Sequence, residues 1–538
     1  MSSVVEKIFP ADSARPEIIV KGGNLPELVE QAQDALLRDC HPVLFQGSGM
    51  LVRIARIAKD KQSRGLTRRA GSLVVMPVEA PWLLERLMVD AGWLRIVYEK
   101  KADGKEPVFR ETRINAPEIV ARTLLAKAGE WRFPVLTGIL EAPTLRPNGS
   151  VVSSDGYDQE SGLYLDMGGA AFPPIPERPT KDDAARALTL LCELVKDFPF
   201  VAESDRAAAL AAMLTALVRR SLPSAPLFGN TAPKMGSGKS LLHDLVNILA
   251  TGRRCNVMAL SDDAREEKKR LLALLIAGDP VVCYDNVDRP LGGAALSQAL
   301  TQETIQDRYL GVSRMVTAST RTTFLANGNN LEFEGDLTTR VVLCALDPEV
   351  EHPEERRFDV NLLEETPRRR GELVVAGLTV LRAFVVAGKP DVGLKPFGRF
   401  EAWSNWIRAS LVWLGMADPL GGSKRVEERD PVRSGLKGLL TAWYSSFQSA
   451  GKTAAEAVAG ARFQNEEGLQ NEEGLALREA LLEVVGEQKG EISTRRLSHY
   501  LSKYESRIEG ALRIVRADTK AHGGAVRWSV QPNKETVT

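Results

Sequence analysis

The sequence predicts an α/β protein with a largely parallel sheet at its centre, an α+β region before it and a small domain of helices and one hairpin after it. Three observations carry this expectation. From about Thr180 to Gly415, apolar strand-like runs alternate with helix-length runs, as in a sheet with crossover helices. Within that stretch a glycine turn, "GSGKS" at Gly236–Ser240, separates a strand run from an amphipathic helix run. Near the end of the chain, two helical runs precede the strand-like runs "ALRIVRA" and "AVRWSV".

The bulk numbers bound the reading. A chain of 538 residues is too long for one core, so several domains are expected. With 44% hydrophobic and 26% charged residues the composition is that of a globular protein. Lys+Arg and Asp+Glu are both 70, a formal net charge of zero, which excludes a bulk footprint for binding polyanions. Contact with nucleic acid then has to come from local clusters or from an assembled pore. The 5 cysteines (Cys40, Cys192, Cys255, Cys283 and Cys344) are scattered without metal-ligand spacing, which favours reduced thiols in a cytoplasmic protein. The first residues lack the apolar core of a signal peptide, and no apolar run is long enough to span a membrane, so no membrane partner is expected.

Residues 1–134 read as an N-terminal α+β domain, with a helix at "LPELVEQAQDALL" and strands at "HPVLFQGSGMLVRIAR" and "GSLVVMPV". Residues 135–179 are rich in Pro, Gly and Asp and read as a small β segment; Asp155 and Asp158 there fit turn chemistry better than a metal pair. Residues 180–420 carry the chemistry. Residues 421–475 read as a linker containing "QNEEGL" at 464–469, repeated at once at 470–475, a tandem acidic hexapeptide with no core face. Residues 476–538 read as a winged helix-turn-helix: helices "ALREALLEVV" and "STRRLSHYLSKY", then a basic hairpin. Arg495, Arg496, His499 and Lys503 fall near one face of the second helix, and Lys520 and His522 at the hairpin tip, a placement suited to DNA phosphates.

The glycine turn has the context of a phosphate loop. "APLFGN" supplies a strand, Gly236 and Gly238 let the backbone approach an anion, and "SLLHDLVNILA" supplies a helix whose first amides face it. The nucleotide cradle is then Gly236, Ser237, Gly238, Lys239, Ser240 and Leu241, with Lys239 on the outer phosphates and the Ser240 hydroxyl on Mg²⁺. Pro233 stands where the motif's first glycine is expected. Such a site calls for a second strand ending in acid, and Val281–Tyr284 followed by Asp285 provides it, with Asp285 as the second metal-holding group. The next position, where a glutamate usually activates water, is Asn286, and an amide orients water without taking its proton; Asp288 is the nearest carboxylate. "RTTFLANGNNL" runs a strand into Asn327, Asn329 and Asn330, of which Asn329 is favoured as the group holding water or the last phosphate. Arg340 precedes the next apolar strand, and Arg370 is a weaker candidate for a second phosphate sensor.

The order GSGKS, YDNVD, FLANGNN, GDLTTR resembles AAA+ ATPases of the helicase kind, most of all the phage- and plasmid-like replicative helicases of mobile elements related to superfamily III and MCM helicases. The resemblance covers most of the chain beyond the N-terminal region. It implies an AAA+ P-loop ATPase core, ATP and Mg²⁺ as cofactors, and a homo-oligomer, a hexameric ring, drawing single-stranded or forked DNA through its pore. By position, Lys239 and Ser240 match the Walker A pair, Asp285 the Walker B acid, Asn329 sensor 1 and Arg340 the arginine finger of a neighbouring subunit. Pro233 and Asn286 depart from the pattern, and the second leaves the identity of the catalytic base open. In such rings the interval after Walker B grips DNA; here it holds Arg308, Arg314 and Arg321, with Gly311 at a turn. Two other readings stay open: a primase–helicase fusion, and a DNA-bound initiator or regulatory ATPase that does not unwind.

Overall fold

A computed structural model describes residues 15–38, 42–63, 66–99, 108–308, 315–355, 360–428, 430–461, 472–488, 491–517 and 525–533. They form two compact units. The first takes the described residues up to 288, with 294–330 and 342–421; the second takes 289–293, 331–341 and those from 422 onward.

The first unit is built on a seven-stranded sheet. Its order is Val341–Ala345, Leu227–Ala232, Thr323–Asn329, Val281–Tyr284, Val257–Met258, Leu66–Arg68, Lys61–Ser63. From Leu227–Ala232 across to Val257–Met258 the pairing is parallel. A parallel strand covered on both faces needs an unbroken apolar run, and "VVCY" at Val281–Tyr284 is buried at every position. The two outermost strands pair antiparallel and come from residues 61–68, inside the region expected to be a separate N-terminal domain. Their sequence, "KQSRGLTR", is polar, as an edge strand facing water requires.

Helices cover the sheet. Glu203–Val218 is buried along almost its whole length, and Lys239–Thr251 leaves the phosphate-loop candidate and ends at Gly252, φ 76°. The far end of that helix is tied down by Arg370. Its guanidinium donates from Nε to the Leu249 carbonyl at 3.1 Å, and from Nη2 to the carbonyls of Ala250 at 3.1 Å and Glu141 at 2.7 Å. This corrects the expectation of Arg370 as a phosphate sensor. A helix of this length separates it from the glycine turn by about 18 Å, and what it meets is the negative, carbonyl end of the helix dipole. The N-terminal region contributes its own core, in which Leu28, Ala32, Leu83, Leu87, Val120 and Leu124 pack with Trp93 and Phe133.

Asp155 and Asp158 sit in small β turns, in keeping with turn chemistry. Asp158 accepts from Arg146 and from Ser161, and Asp155 accepts from the Met167 amide at 2.8 Å.

The second unit contains the helices Pro431–Phe447, Ala454–Gly460, Glu472–Val485 and Thr494–Lys503, with a three-stranded antiparallel sheet of Ile508–Glu509, Leu512–Arg516 and Trp528–Pro532. Residues 431–460, expected to be linker, are structured. Leu436, Leu439, Leu440 and Trp443 recur at helical spacing and pack with Leu477, Leu481, Leu497 and Trp528 in one core. The first copy of the hexapeptide repeat lies outside the described residues, and the end of the second opens the helix Glu472–Val485. Among the described residues no helix is long and apolar enough to cross a membrane.

Because Arg370 satisfies three carbonyls from a buried position, Arg370→Met is expected to lower the unfolding free energy by about 2–4 kcal/mol. Equilibrium denaturation measures this, and an unchanged midpoint would show that the helix end needs no such anchor.

Candidate nucleotide site

The glycine turn leaves the sheet at the C-terminal end of Leu227–Ala232, the edge where open parallel sheets hold ligands. Gly236 and Gly238 have φ of 76° and 96°, a region that favours glycine. Gly238 is also the residue before the helix, where a Cβ would stand 3.0 Å from Phe198 Cε1. The turn closes with Pro233 at its entry: the Ser237 hydroxyl donates to the Lys234 carbonyl at 2.8 Å. Pro233 through Gly236 are exposed, Ser237 is buried, and Leu241 is half-buried on the helix.

Lys239 turns inward. Its Nζ donates to the Lys234 carbonyl at 2.8 Å and to Asn329 Oδ1 at 2.9 Å, and burial lowers its pKa. Two protein oxygens thus hold an ammonium beside the free amides of a helix start, an arrangement ready to exchange those oxygens for the oxygens of an anion. Ser240 Oγ lies 3.3 Å from Asp285 Oδ1, which projects just beyond the strand Val281–Tyr284, two places along the sheet from Leu227–Ala232.

Asn327 joins the two. Its Nδ2 donates to Asp285 Oδ1 at 2.7 Å and lies 3.3 Å from Ser240 Oγ; its Oδ1 accepts from the Asn286 amide at 2.9 Å. Asn327 and Asn329 stand two apart on one strand and therefore face the same side of the sheet. The sequence reading favoured Asn329 alone; the structure gives Asn329 to Lys239 and Asn327 to Asp285 and Ser240. The period-two spacing of the two asparagines was the signal that could have found both.

Asn286 adopts φ 52°, and its side chain is exposed, as is that of Asp288. Beneath the polar groups lies His243, one turn into the helix. Its Nδ1 is 3.0 Å from Cys283 Sγ and 3.3 Å from Asn327 Nδ2, while its Nε2 has no partner. Burial pushes its pKa from 6.5 down to about 3, so the ring is neutral and accepts the Asn327 amide at Nδ1. His243 is thus a positioning residue that the sequence reading passed over, since a lone histidine on an apolar helix gives no signal of its own.

The donor set fits a nucleotide with Mg²⁺. A hydroxyl and a carboxylate 3.3 Å apart are the few hard oxygen ligands this cation takes when phosphates and water complete its shell. Among the described residues no group of three or more His, Cys, Asp or Glu could hold a metal ion by itself.

The remaining candidates are dispersed. Arg308 is exposed at the end of Thr304–Arg308, which pairs with Met315–Ser319 as a hairpin; Arg314 and Gly311 lie outside the described residues. Arg321 sits at the root of that hairpin, 2.9 Å from Glu303. Arg340 belongs to the second unit, where it pairs with Asp336 at 3.4 Å. Arg495, Arg496 and Lys503 are exposed on Thr494–Lys503, and Lys520 lies outside the described residues.

The buried neutral histidine has a pH consequence. Its folded pKa is depressed, so the unfolded chain takes the proton first, and stability falls as pH drops from about 6.5 towards about 3. Relative to His243→Gln, the wild type is expected to lose about 1.4 kcal/mol per pH unit below pH 6. A stability difference between the two that stays flat with pH would show that this imidazole is not held neutral.

No protein-family model matches the chain, and no curated protein matches it. Among solved structures, the apo C-terminal region of NrS-1 is 13% identical, aligns over 84% of this chain and 99% of its own, and has a TM-score of 0.34. The SCCmec type IV protein Cch, described as an active helicase, is 10% identical over 93% of this chain and 99% of its own, with a TM-score of 0.30. Neither likeness is close enough to assign a family.

Proposed function

We propose that the protein is an ATP-dependent DNA helicase or translocase of the AAA+ kind, working as a ring of identical subunits, by inference six, in replication of a mobile element. The observation that carries this reading is the meeting of Lys239, Ser240, Asp285, Asn327 and Asn329 at the C-terminal ends of three adjacent parallel strands. In it the first unit's sheet is the ATPase core, and the helices and three-stranded sheet of the second unit form a winged helix.

Each residue has a task its surroundings suit. The loop amides and Lys239 bind the phosphate chain, with Lys239 leaving Asn329 and the Lys234 carbonyl to do so. Ser240 and Asp285 hold Mg²⁺, which when bound neutralises charge on the outer phosphates. Asn327 fixes Asp285 and Ser240 relative to each other, and the freed Asn329 amide orients the attacking water. The Asn286 amide cannot accept that water's proton, so the proton passes to Asp288 or to solvent. Arg340 serves the neighbouring subunit's site as the arginine finger. DNA is met by Arg308 at the end of its strand and by Arg314, six residues on in sequence, whose charge repeats around the ring although the subunit is neutral. The basic face of Arg495, Arg496 and Lys503, with Lys520, meets duplex phosphates.

Asn286 also favours a second reading, a slow, switch-like ATPase that initiates or regulates without unwinding, because the usual proton acceptor is replaced by an amide. Strand displacement on a forked duplex separates the two. The helicase reading expects ATP-dependent release of the strand by the wild type. ATP hydrolysis without release would support the switch instead. Lys239→Ala is expected to lower hydrolysis by about 10²-fold or more. Arg340→Ala is expected to keep nucleotide binding but to lower turnover by about 10³-fold; normal turnover would remove it from the finger role.

A further inference from the structure

The opposite edge of the central sheet carries an accumulation of positive charge that the nucleotide site does not use. Arg219 and Arg220 follow the helix Glu203–Val218 and precede the strand Leu227–Ala232, while Arg321 immediately precedes the strand pair at Thr323. All three therefore stand at the N-terminal ends of strands whose C-terminal ends hold the nucleotide loop, about 20 Å away.

Arg219 is 2% exposed, and each of its three guanidinium nitrogens donates to a carbonyl, those of Thr322, Leu222 and Thr320, at 3.0, 2.7 and 3.0 Å. Arg220 and Arg321 exchange bonds: Arg220 Nη1 donates to the Arg321 carbonyl at 2.8 Å, and Arg321 Nη1 to the Arg220 carbonyl at 2.9 Å. Arg220 is 5% exposed, donates from Nη2 to the Gly278 carbonyl at 2.6 Å, and has no partner for Nε.

The carboxylates nearby do not balance this charge. Glu303 pairs with Arg321 at 2.9 Å, and Asp279 is already held by Arg68 at 2.5 Å and by Asn256 at 3.0 Å. Arg146, beside them, pairs with Asp158 and with Glu160 at 3.3 Å, so five guanidiniums face four carboxylates, and neither Arg219 nor Arg220 donates to any of them. Burial and the neighbouring cations lower the pKa of Arg219 to about 9, and burial above all lowers that of Arg220 to about 10.

Two cavities flank the pair. One, of about 290 Å³, is lined by Arg220 and Arg321 together with Glu303, Ser48, Thr304, Thr317 and Ser319. The other, of about 310 Å³, is lined by the same two arginines with Arg146, Glu160, Asn148, Ser161 and Ser221. Gly138 borders the first, and a Cβ there would stand 3.1 Å from Arg220 Nε, so the chain keeps side-chain bulk away from the unpartnered group.

We propose that these cavities form a binding site for a small phosphorylated anion, a free phosphate chain or the phosphates of a nucleotide, whose charge answers Arg220 and Arg321. The site is independent of the nucleotide loop and stands whether or not the chain unwinds DNA. Its wall includes the root of the hairpin Thr304–Ser319, so an occupant bears directly on how that hairpin is seated.

The test uses the full chain carrying Lys239→Ala, which disables the nucleotide loop, and titrates inorganic pyrophosphate and, separately, ADP by calorimetry. Binding of pyrophosphate is expected, weakened about tenfold or more by Arg321→Gln and likewise by Thr317→Glu, which sets a carboxylate in the cavity and leaves every arginine side chain in place. Equal affinity for the two probes would identify a phosphate site, and tighter ADP a nucleotide site. Absence of binding to either probe, or binding that neither added substitution weakens, would overturn the proposal.

Discussion

The strand Thr323–Asn329 lies between the strand that feeds the glycine loop and the strand that ends in Asp285, and its register fixes where every polar group of the candidate site stands. Asn327 pairs opposite Asn230 and Asn329 opposite Ala232, while Ala326 pairs opposite Tyr284. A slip of one residue would turn both asparagines to the other face of the sheet. The register is secured by burial: Phe324, Leu325 and Ala326 are almost wholly enclosed, as are Val281 through Tyr284 beside them. Apolar packing in the middle of the sheet thus sets hydrogen-bond geometry at its edge. His243 completes this from below, holding the Asn327 amide with a ring that burial keeps neutral.

The two edges of the same sheet differ in how they handle charge. At the C-terminal edge the Lys239 ammonium is held by neutral oxygens beside a helix start, and the Asp285 carboxylate is bound by an amide and faces a hydroxyl. At the N-terminal edge buried guanidiniums outnumber carboxylates and lean on backbone carbonyls. A buried cation satisfied only by neutral dipoles is costly, and its retention at two adjacent positions is what marks that edge as more than a structural stitch. A formal net charge of zero over 538 residues conceals both arrangements, because composition carries no information on burial.

Much of the core was legible because its signals are local and strong. The run Val281–Tyr284 is a strand with the limits its apolar residues suggest, and the helix after the glycine turn begins at Lys239, one residue before the expected start. The two helical runs near the C-terminus fold as Glu472–Val485 and Thr494–Lys503. What was hidden depends on distant partners. Leu66–Arg68 is polar for a strand and joins the sheet by pairing with Val257–Met258, far along the chain, and Lys61–Ser63 pairs in turn with it. The helix Pro431–Phe447 carries an apolar stripe, yet in isolation that stripe says nothing of Leu481 or Trp528, against which it packs. Arg370 looked like a phosphate ligand from its neighbours in sequence; its true partners, Leu249, Ala250 and Glu141, lie more than a hundred residues away. Asn327 is the same case within the site, its meaning set by Asp285 across a strand boundary.

The proposed role of the first unit requires it to bind a nucleotide through a cation shared by Ser240 and Asp285. Its most direct test is a calorimetric titration of the full chain with a slowly hydrolysed ATP analogue, with and without Mg²⁺. Saturable one-site binding to the loop, strengthened about tenfold or more by Mg²⁺, is the predicted result. Failure to bind, or an affinity indifferent to Mg²⁺, would contradict it.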